Sequence, residues 1–500
     1  MAAKEPVKAL VKRLSGTGII ISSDVSDETL GDVDCDLLAS MIIEEQSRSA
    51  GLKILGNSQI AEVVKKMRAD KVPNPIEASQ RPDFKAYASE IDARYAVNST
   101  EGDRSGINVE GFVTYFRDRL SRLRDIIGTQ RIGMVGLAES IDSLKNYTNG
   151  REVTVVGMVS SKIVTKKGNT MVVLDDDTGE CKVMFMNGSS QKARELFEKA
   201  RNIINDEVVA VNGKISGPFL IANEIVWPDI PIKERKRVEE DFAIAFVSDI
   251  HVGSKKFMEK NFSNLISWLN GNYGERRDLA GKVKYLVVGG DVVDGIGIYP
   301  GQDRELAIPD IYVQYKMFMH MVSAIPDYMH AFIIPGNHDG VQRAEPQPAL
   351  TPSILGDFKA DNMHMVPNPS YLTLHGIDIL AYHGTSLDSV IRSIPGLSYA
   401  KPDGAMIEVL KRRHLSPIYG GNIIVPSRKD NLVIDKVPDI LNMGHVHKNC
   451  VENYHGVHIL NSGTWQSITD FQLAQGHVPS PCILSVYEAK YDRFTTINFK

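Results

Sequence analysis

Apolar residues recur at helical spacing near the N-terminus, first as Leu37, Leu38, Met41 and Ile42 and then as Val63, Val64 and Met67. Residues 1–70 therefore read as a small helical domain whose use is docking rather than chemistry. The pattern stops at Pro73. Residues 71–108 are dominated by Pro, Ser, Asp, Asn and Gly (PNPIEASQRP, then NSTEGDRSG), which predicts a flexible linker. A helix is expected from Val109, because Phe112, Phe116, Leu120, Leu123 and Ile127 share one face. Between residues 152 and 230 the period falls to two, in VTVVGMVSSKIV, NTMVVLDDDTGECKVMFM, DEVVAVNGKIS and FLIANEIVW. Three strands, a helical insert from Ser190 to Asn202 and two more strands give the order of a five-stranded OB barrel, so that 109–232 form a helix-plus-barrel domain. After the charged joint KERKRVEED (233–241), strands and helices alternate to the C-terminus, and 240–500 read as a layered αββα domain. The fold class expected is multidomain, mixing α/β and β.

Composition changes this picture little. A chain of 500 residues with 43% hydrophobic and 24% charged residues has ample material for several cores. Its formal net charge of −5 means that nucleic acid can be met only by local patches. Cys35, Cys181, Cys450 and Cys482 form no CxxC pair, which argues against a disulfide framework or zinc ribbon and for a reducing, cytoplasmic setting. No apolar run approaches the roughly 20 residues that a membrane span requires, and no membrane partner is expected. Two basic patches stand out. Lys162, Lys166 and Lys167 are expected in the loop after the first barrel strand, where single-stranded nucleic acid or a protein would bind equally well. The stretch 384–430 carries Arg392, Lys401, Lys411, Arg412, Arg413, Arg428 and Lys429 against four acids, and Lys411, Arg412 and Arg413 are candidates for guiding a DNA backbone or docking a partner. His414 within it reads as a surface residue, and His375 and His455 as turn residues preceding glycine.

The chemistry lies in one repeated local pattern. A short apolar strand runs into a polar loop that begins with a potential metal ligand: Asp249 and His251 after FAIAFVS, Asp291 and Asp294 after YLVVGG, Asn337, His338 and Asp339 after AFIIPG, His383 after DILAY, and His445 and His447 after DILNMG. The carboxyl ends of strands are where open α/β sheets build sites, because neighbouring loops converge there. Mixed carboxylate, amide and imidazole donors suit Mn, Fe or Zn, and the missing thiolates argue against structural zinc. Such a set serves phosphoester hydrolysis by two cations, with a protonated histidine at the leaving oxygen.

The ordered motifs D-x-H, GD-x-x-D, GNHD, HG and GH-x-H resemble the calcineurin-like metallophosphoesterase superfamily. The resemblance implies that Asp249, His251, Asp291 and His447 hold one divalent metal ion. It implies that Asp291 bridges to a second one held by Asn337, His383 and His445. His338 would be the acid, with Asp294 orienting it. The order of helical piece, linker, barrel and phosphoesterase is similar to the family of small subunits of archaeal D-type DNA polymerases. That likeness implies a manganese-supported 3′→5′ exonuclease acting on single-stranded or mismatched primer–template DNA, joined to a large catalytic subunit; whether a sliding clamp also binds is left open. Two other readings stand beside it, a small-molecule phosphoesterase and a non-catalytic scaffold with a vestigial metal site.

Overall fold

The computed structural model describes residues 6–15, 17, 19–30, 35–46, 53–69, 84–99, 107–130, 137–138, 140–236, 238–356, 358, 360–474 and 476–500. Helices Pro6–Leu14, Cys35–Gln46 and Asn57–Ala69 bury Leu10, Leu38, Ile42, Val63 and Val64 in a small core of their own. The side chains of Leu37 and Met67 lie outside the described residues. The helical reading of this piece needs one addition. Strands β1 (Ile19–Ile21) and β2 (Lys53–Leu55) pair in parallel, each only three residues long and too short to carry a visible alternation.

The linker expectation fails over part of its length. Residues 70–83 and 100–106 lie outside the described residues, but Phe84 is buried and Tyr95–Ser99 form strand β3. That strand lies antiparallel on Ser370–Leu374, far along the chain. Its YAVNS sequence alternates weakly because only one edge and one face are covered, and polar neighbours mask it in a composition reading.

Helix Val109–Gln130 packs Leu120, Leu123 and Ile127 inward, as its periodicity predicts, while Phe112 and Phe116 of the same expected face are only half-buried and Tyr115 is buried beside them. The barrel strands are β4 (Glu152–Val164), β5 (Thr170–Asp176), β6 (Gly179–Phe185), β7 (Val208–Ser216) and β8 (Phe219–Val226), closed in the order β4-β5-β6-β8-β7. Helix Gln191–Arg201 intervenes after the third strand, capped by Ser190 Oγ on the Ala193 amide. Lys166 and Lys167 are exposed in the β4–β5 turn. Lys162 is on the strand and donates to the carbonyls of Arg201 and Ile203.

Two six-stranded sheets make up the rest. Strands β9 (Ala243–Val247), β10 (Val283–Gly289), β11 (His330–Ile334) and β12 (Met363–Met365) follow the barrel. After them come β13 (Ser370–Leu374), β14 (Ile377–Ala381), β15 (Ile440–Met443), β16 (Cys450–Tyr454), β17 (Val457–Asn461), β18 (Ile483–Glu488) and β19 (Arg493–Asn498). One sheet runs β12-β11-β10-β9-β18-β19 and the other β16-β17-β15-β14-β13-β3. Phe246, Val287, Phe332 and Ile334 of the first meet Leu372, Ile379, Ile440 and Leu460 of the second in a shared core. Helices cover both outer faces, giving four layers. The parallel strands β9, β10 and β11 are nearly continuous apolar runs because both of their faces are buried.

Buried ion pairs tie barrel and sheets together. Arg119 of the long helix meets Asp430 at 2.7 Å, and Arg412 meets Glu207 at 2.5 Å, with every partner at most 1% exposed. This overturns two expectations. Arg412 is spent on Glu207, Glu408 and the Asn202 carbonyl, and Arg413 donates to the carbonyls of Ile434 and Asp435, so neither reaches a DNA backbone. Lys411 lies 4.2 Å above the Trp227 ring and beside Glu408, at the same joint. His414 is likewise buried: Ser416 N donates to its Nδ1, which fixes the proton on Nε2 for Asp430.

Burial, aided by the charge of Arg119, pushes His414 down to about 4 from its ordinary 6.5. Between those two values the unfolded chain binds a proton that the folded chain refuses. Stability is therefore full above pH 6.5 and is lost as pH falls, at up to about 1.4 kcal/mol per unit. Thermal melts from about pH 8 to about pH 4 are expected to fall through that window and to flatten in His414→Gln. An unchanged slope in the variant would remove His414 from the acid response.

Candidate metal centre

Every residue of the strand-end pattern arrives at one place. Asp249 follows β9, Asp291 follows β10, Asn337 and His338 follow β11, His383 follows β14, and His445 and His447 follow β15. These are carboxyl ends of parallel strands from both sheets, so the site straddles the line where the two sheets meet. The backbone carries a signature of its own. Asp249, His251, Asp291, His445 and His447 all have positive φ, between 50° and 67°, in the left-handed region that non-glycine residues seldom occupy. Strain of this kind persists where the surroundings over-determine it. Gly336 is required for close approach, since a Cβ there would overlap the Asp291 carboxylate.

Three overlapping donor groups result: Asp249, His251 and His447; His251, Asp291 and His338; Asp291, His383 and His445. Within each, the potential ligand atoms lie within 4.8 Å of one another. His251 Nε2 and His447 Nε2 face each other at 3.1 Å, with Asp249 Oδ1 3.1 Å from the latter. On the other side Asn337 Oδ1 is 3.0 Å from both His383 Nε2 and His445 Nδ1, and Asp291 Oδ2 is 3.3 Å from His383 Nε2.

The far nitrogens of three of the rings are engaged elsewhere. His383 Nδ1 donates to the Gly289 carbonyl at 2.8 Å, His251 Nδ1 to Asp294 at 3.1 Å, and His445 Nε2 lies 3.4 Å from Asp388. Outer partners of this type fix the tautomer and turn the free lone pair inward. Imidazoles, carboxylates and one amide oxygen converging in this way are a donor set that fits divalent cations.

The electrostatics agree. Burial works against charge throughout, yet the imidazoles of His383 and His338 hold the Asp291 carboxyl well below its usual range. Burial also opposes charge on His383, but Asp291 and Asp249 outweigh it and raise the imidazole to about 10. His338 goes the other way, pushed down by burial with Asp291 opposing.

One role differs from expectation. The Asp294 carboxylate orients His251, with Gln302 Nε2 and Gln466 Nε2 donating to it, while His338 Nδ1 donates at 2.8 Å to the Asp294 backbone carbonyl. Asp294 thus orients His338 through its main chain only. Asp294→Asn is expected to weaken one of two metal sites by about 10- to 100-fold, measured by titration calorimetry with Mn²⁺, and to leave the other. Equal loss at both sites would contradict this geometry.

Several supports escape a reading of motifs. Asp388 next to His445 and Gln472, whose amide is 2.7 Å from His447 Nδ1, come from separate segments with no repeated pattern. Asp339, inside GNHD, accepts from the amides of Gly336 and Val292 and from Tyr315, stapling two site turns together. Its place in that motif is the one signal the sequence offers for it.

Comparison with known proteins leads to polymerase accessory subunits. Residues 244–451 match the family model for the B subunits of DNA polymerases alpha and epsilon. The DNA polymerase II small subunit of Methanothermobacter thermautotrophicus is 37% identical over 480 residues, covering 94% of this chain and 96% of the relative. That of Archaeoglobus fulgidus is 43% identical over 384 residues, 76% of this chain and 75% of the relative. That of Pyrococcus furiosus is 39% identical over 399 residues, 78% of this chain and 64% of the relative. The chain belongs to the family of archaeal DNA polymerase II small subunits. No described helix is long and apolar enough to cross a membrane.

Proposed function

We propose that this protein is a metal-dependent phosphodiesterase of the calcineurin-like type, built beside an OB-like barrel. It would act as a 3′→5′ exonuclease on single-stranded or mismatched DNA within a heterodimer with a large catalytic subunit. One observation carries the reading: donor groups overlap at Asp291, with His338 beside them. Two divalent cations, Mn foremost and Fe or Zn by the same donor chemistry, would supply charge neutralisation at phosphorus and an acidified water. Asp249, His251, Asp291 and His447 would hold one, and Asp291, Asn337, His383 and His445 the other.

The remaining steps belong to the chain. Asp294 and Gly289 engage Nδ1 of His251 and His383 and so turn their Nε2 atoms toward the places the cations would occupy, where a cation would displace the proton. His338 commits Nδ1 to the Asp294 carbonyl, which leaves Nε2, 4.0 Å from Asp291 Oδ2, as the atom that would take a second proton and, from the imidazolium, hand it to the leaving 3′ oxygen. Lys166 and Lys167, exposed in their turn, remain the barrel's candidates for a DNA backbone.

The test is a 5′-labelled oligonucleotide, single-stranded or with a 3′ mismatch, incubated with the chain alone and with its large subunit. A ladder shortening from the 3′ end with Mn²⁺, and absent with chelator, is the expected result. Intact DNA in both states would make the protein a scaffold. Hydrolysis of a small aryl phosphate as fast as DNA would instead favour a small-molecule esterase.

A further inference from the structure

We infer that the loop Gly295–Glu305 is a subsite for the nucleoside on the leaving side of the scissile phosphate, with Tyr299 stacking on its base. The inference rests on the hydrolytic reading above and adds which nucleotide is read and by what. His338 marks the direction. A group that protonates the leaving 3′ oxygen must lie beside the sugar that keeps that oxygen, which is the new 3′ end of the shortened strand. The loop beside His338 is therefore beside that nucleoside, away from the released one.

The loop is built to hold a shape. Gly295, Gly297 and Gly301 all have positive φ, and a Cβ on Gly295 would overlap the His338 carbonyl, so the chain turns directly against the proposed acid. The buried Gln302 anchors the loop to the centre. Its Nε2 donates to the carbonyl and carboxylate of Asp294, and its Oε1 accepts from the Ile298 amide. Gln314 grips Gly295 from below, accepting from its amide and donating to its carbonyl.

On this base stand a ring, an apolar side chain and a cation. The Tyr299 ring lies 6.3 Å from that of His338, tilted by 58°, and its hydroxyl donates to Glu305 at 3.0 Å, which sets the plane of the ring. Ile296, in the same loop, is 46% exposed. Arg343, exposed, reaches over to the Gly297 carbonyl at 3.0 Å and puts a guanidinium at the outer edge, where the next phosphate upstream would run. Aromatic faces with a flanking cation bind single-stranded nucleic acid without regard to sequence, because every base offers a π-face.

The test is a cycle of protein and substrate changes. Wild type and Tyr299→Ala are each given Mn²⁺ and oligonucleotides with an abasic residue, either just upstream of the scissile phosphate or in the released 3′ nucleotide. Cleavage is read alongside dissociation constants from anisotropy in chelator. Tyr299→Ala is expected to weaken intact DNA by about tenfold. Removing the upstream base is expected to cost the same, with no further loss when both are removed. Removing the released base should add independently of Tyr299. Additivity at the upstream base, or coupling to the released base instead, overturns the subsite. Tyr299→Phe, which keeps the ring and loses the Glu305 bond, should retain most binding, and a loss equal to that of Tyr299→Ala would overturn stacking. Coupled binding with no cleavage would sink the hydrolase and leave the subsite. Absence of any DNA binding would sink both.

Discussion

Replacing Asp291 with alanine is expected to abolish DNA hydrolysis, by about three orders of magnitude or more, while the chain stays folded and joined to its large subunit. Asp291, like His251, is shared by two of the donor groups, and it lies near His251 and His338 on one side and near His383 and His445 on the other. Its loss would remove charge from both proposed cation positions at once. Lewis-acid stabilisation worth several kcal/mol would go with it, and each ~1.36 kcal/mol is a factor of ten in rate. The removed side chain also compensates His383, whose raised value of about 10 depends first on the Asp291 charge once burial is overcome. The check combines the exonuclease assay with bound metal measured by mass spectrometry and the assembled complex measured by gel filtration. Wild-type cleavage, or both metals retained, would end the assignment of Asp291 as the bridge. Loss of the complex would reassign it to folding.

His338→Ala is expected to have the second largest effect and a different signature. It should retain metal and lose about 10²- to 10⁴-fold in rate, the range spanned by general acid catalysis. Both metal-facing clusters keep at least three other donors without it: Asp249, His251, Asp291 and His447 on one side, Asp291, Asn337, His383 and His445 on the other. The loss should also depend on the leaving group. A thymidine 5′-phosphate ester of p-nitrophenol departs without a proton and is expected to be cleaved by the variant almost as well as by wild type. A DNA strand, which leaves as an alkoxide, is not. Equal losses on the two substrates would take the acid role from His338, and large metal loss would move it among the ligands.

These expectations start from residues that are readable in the chain, and the reason is geometric. A ligand placed directly after a buried strand appears in sequence as an apolar run followed by Asp, Asn or His. Five strands repeat it with Asp249, Asp291, Asn337, His383 and His445. The pattern reports where side chains begin. It cannot report which atom of Asp294 faces His338, because carboxylate and carbonyl leave the same backbone position. Asp388 and Gln472 are hidden for a related reason: each touches the site from a short helix whose docking is set by tertiary packing.

Charge composition misleads in the insert. Arg412 and Arg413 occupy an EVLKRRH segment that looks solvated in sequence, yet Glu207 comes from the edge of the barrel to neutralise Arg412 in the interior. A charge count along the chain sees nearby acids and misses those brought by the fold. Strand β3 shows the same limit for strand pairing. Nothing within YAVNS names a partner in Ser370–Leu374.

That pairing has a consequence in time rather than in space. As the chain leaves the ribosome, Tyr95–Ser99 emerge long before the strand they join, which lies roughly 270 residues downstream. At about 5–20 residues per second the early strand waits roughly 14 to 54 s with its pairing groups unclaimed. The second sheet cannot close its edge until then, so the order of synthesis makes the two-sheet body the last part of this chain able to finish folding, well after the barrel that precedes it.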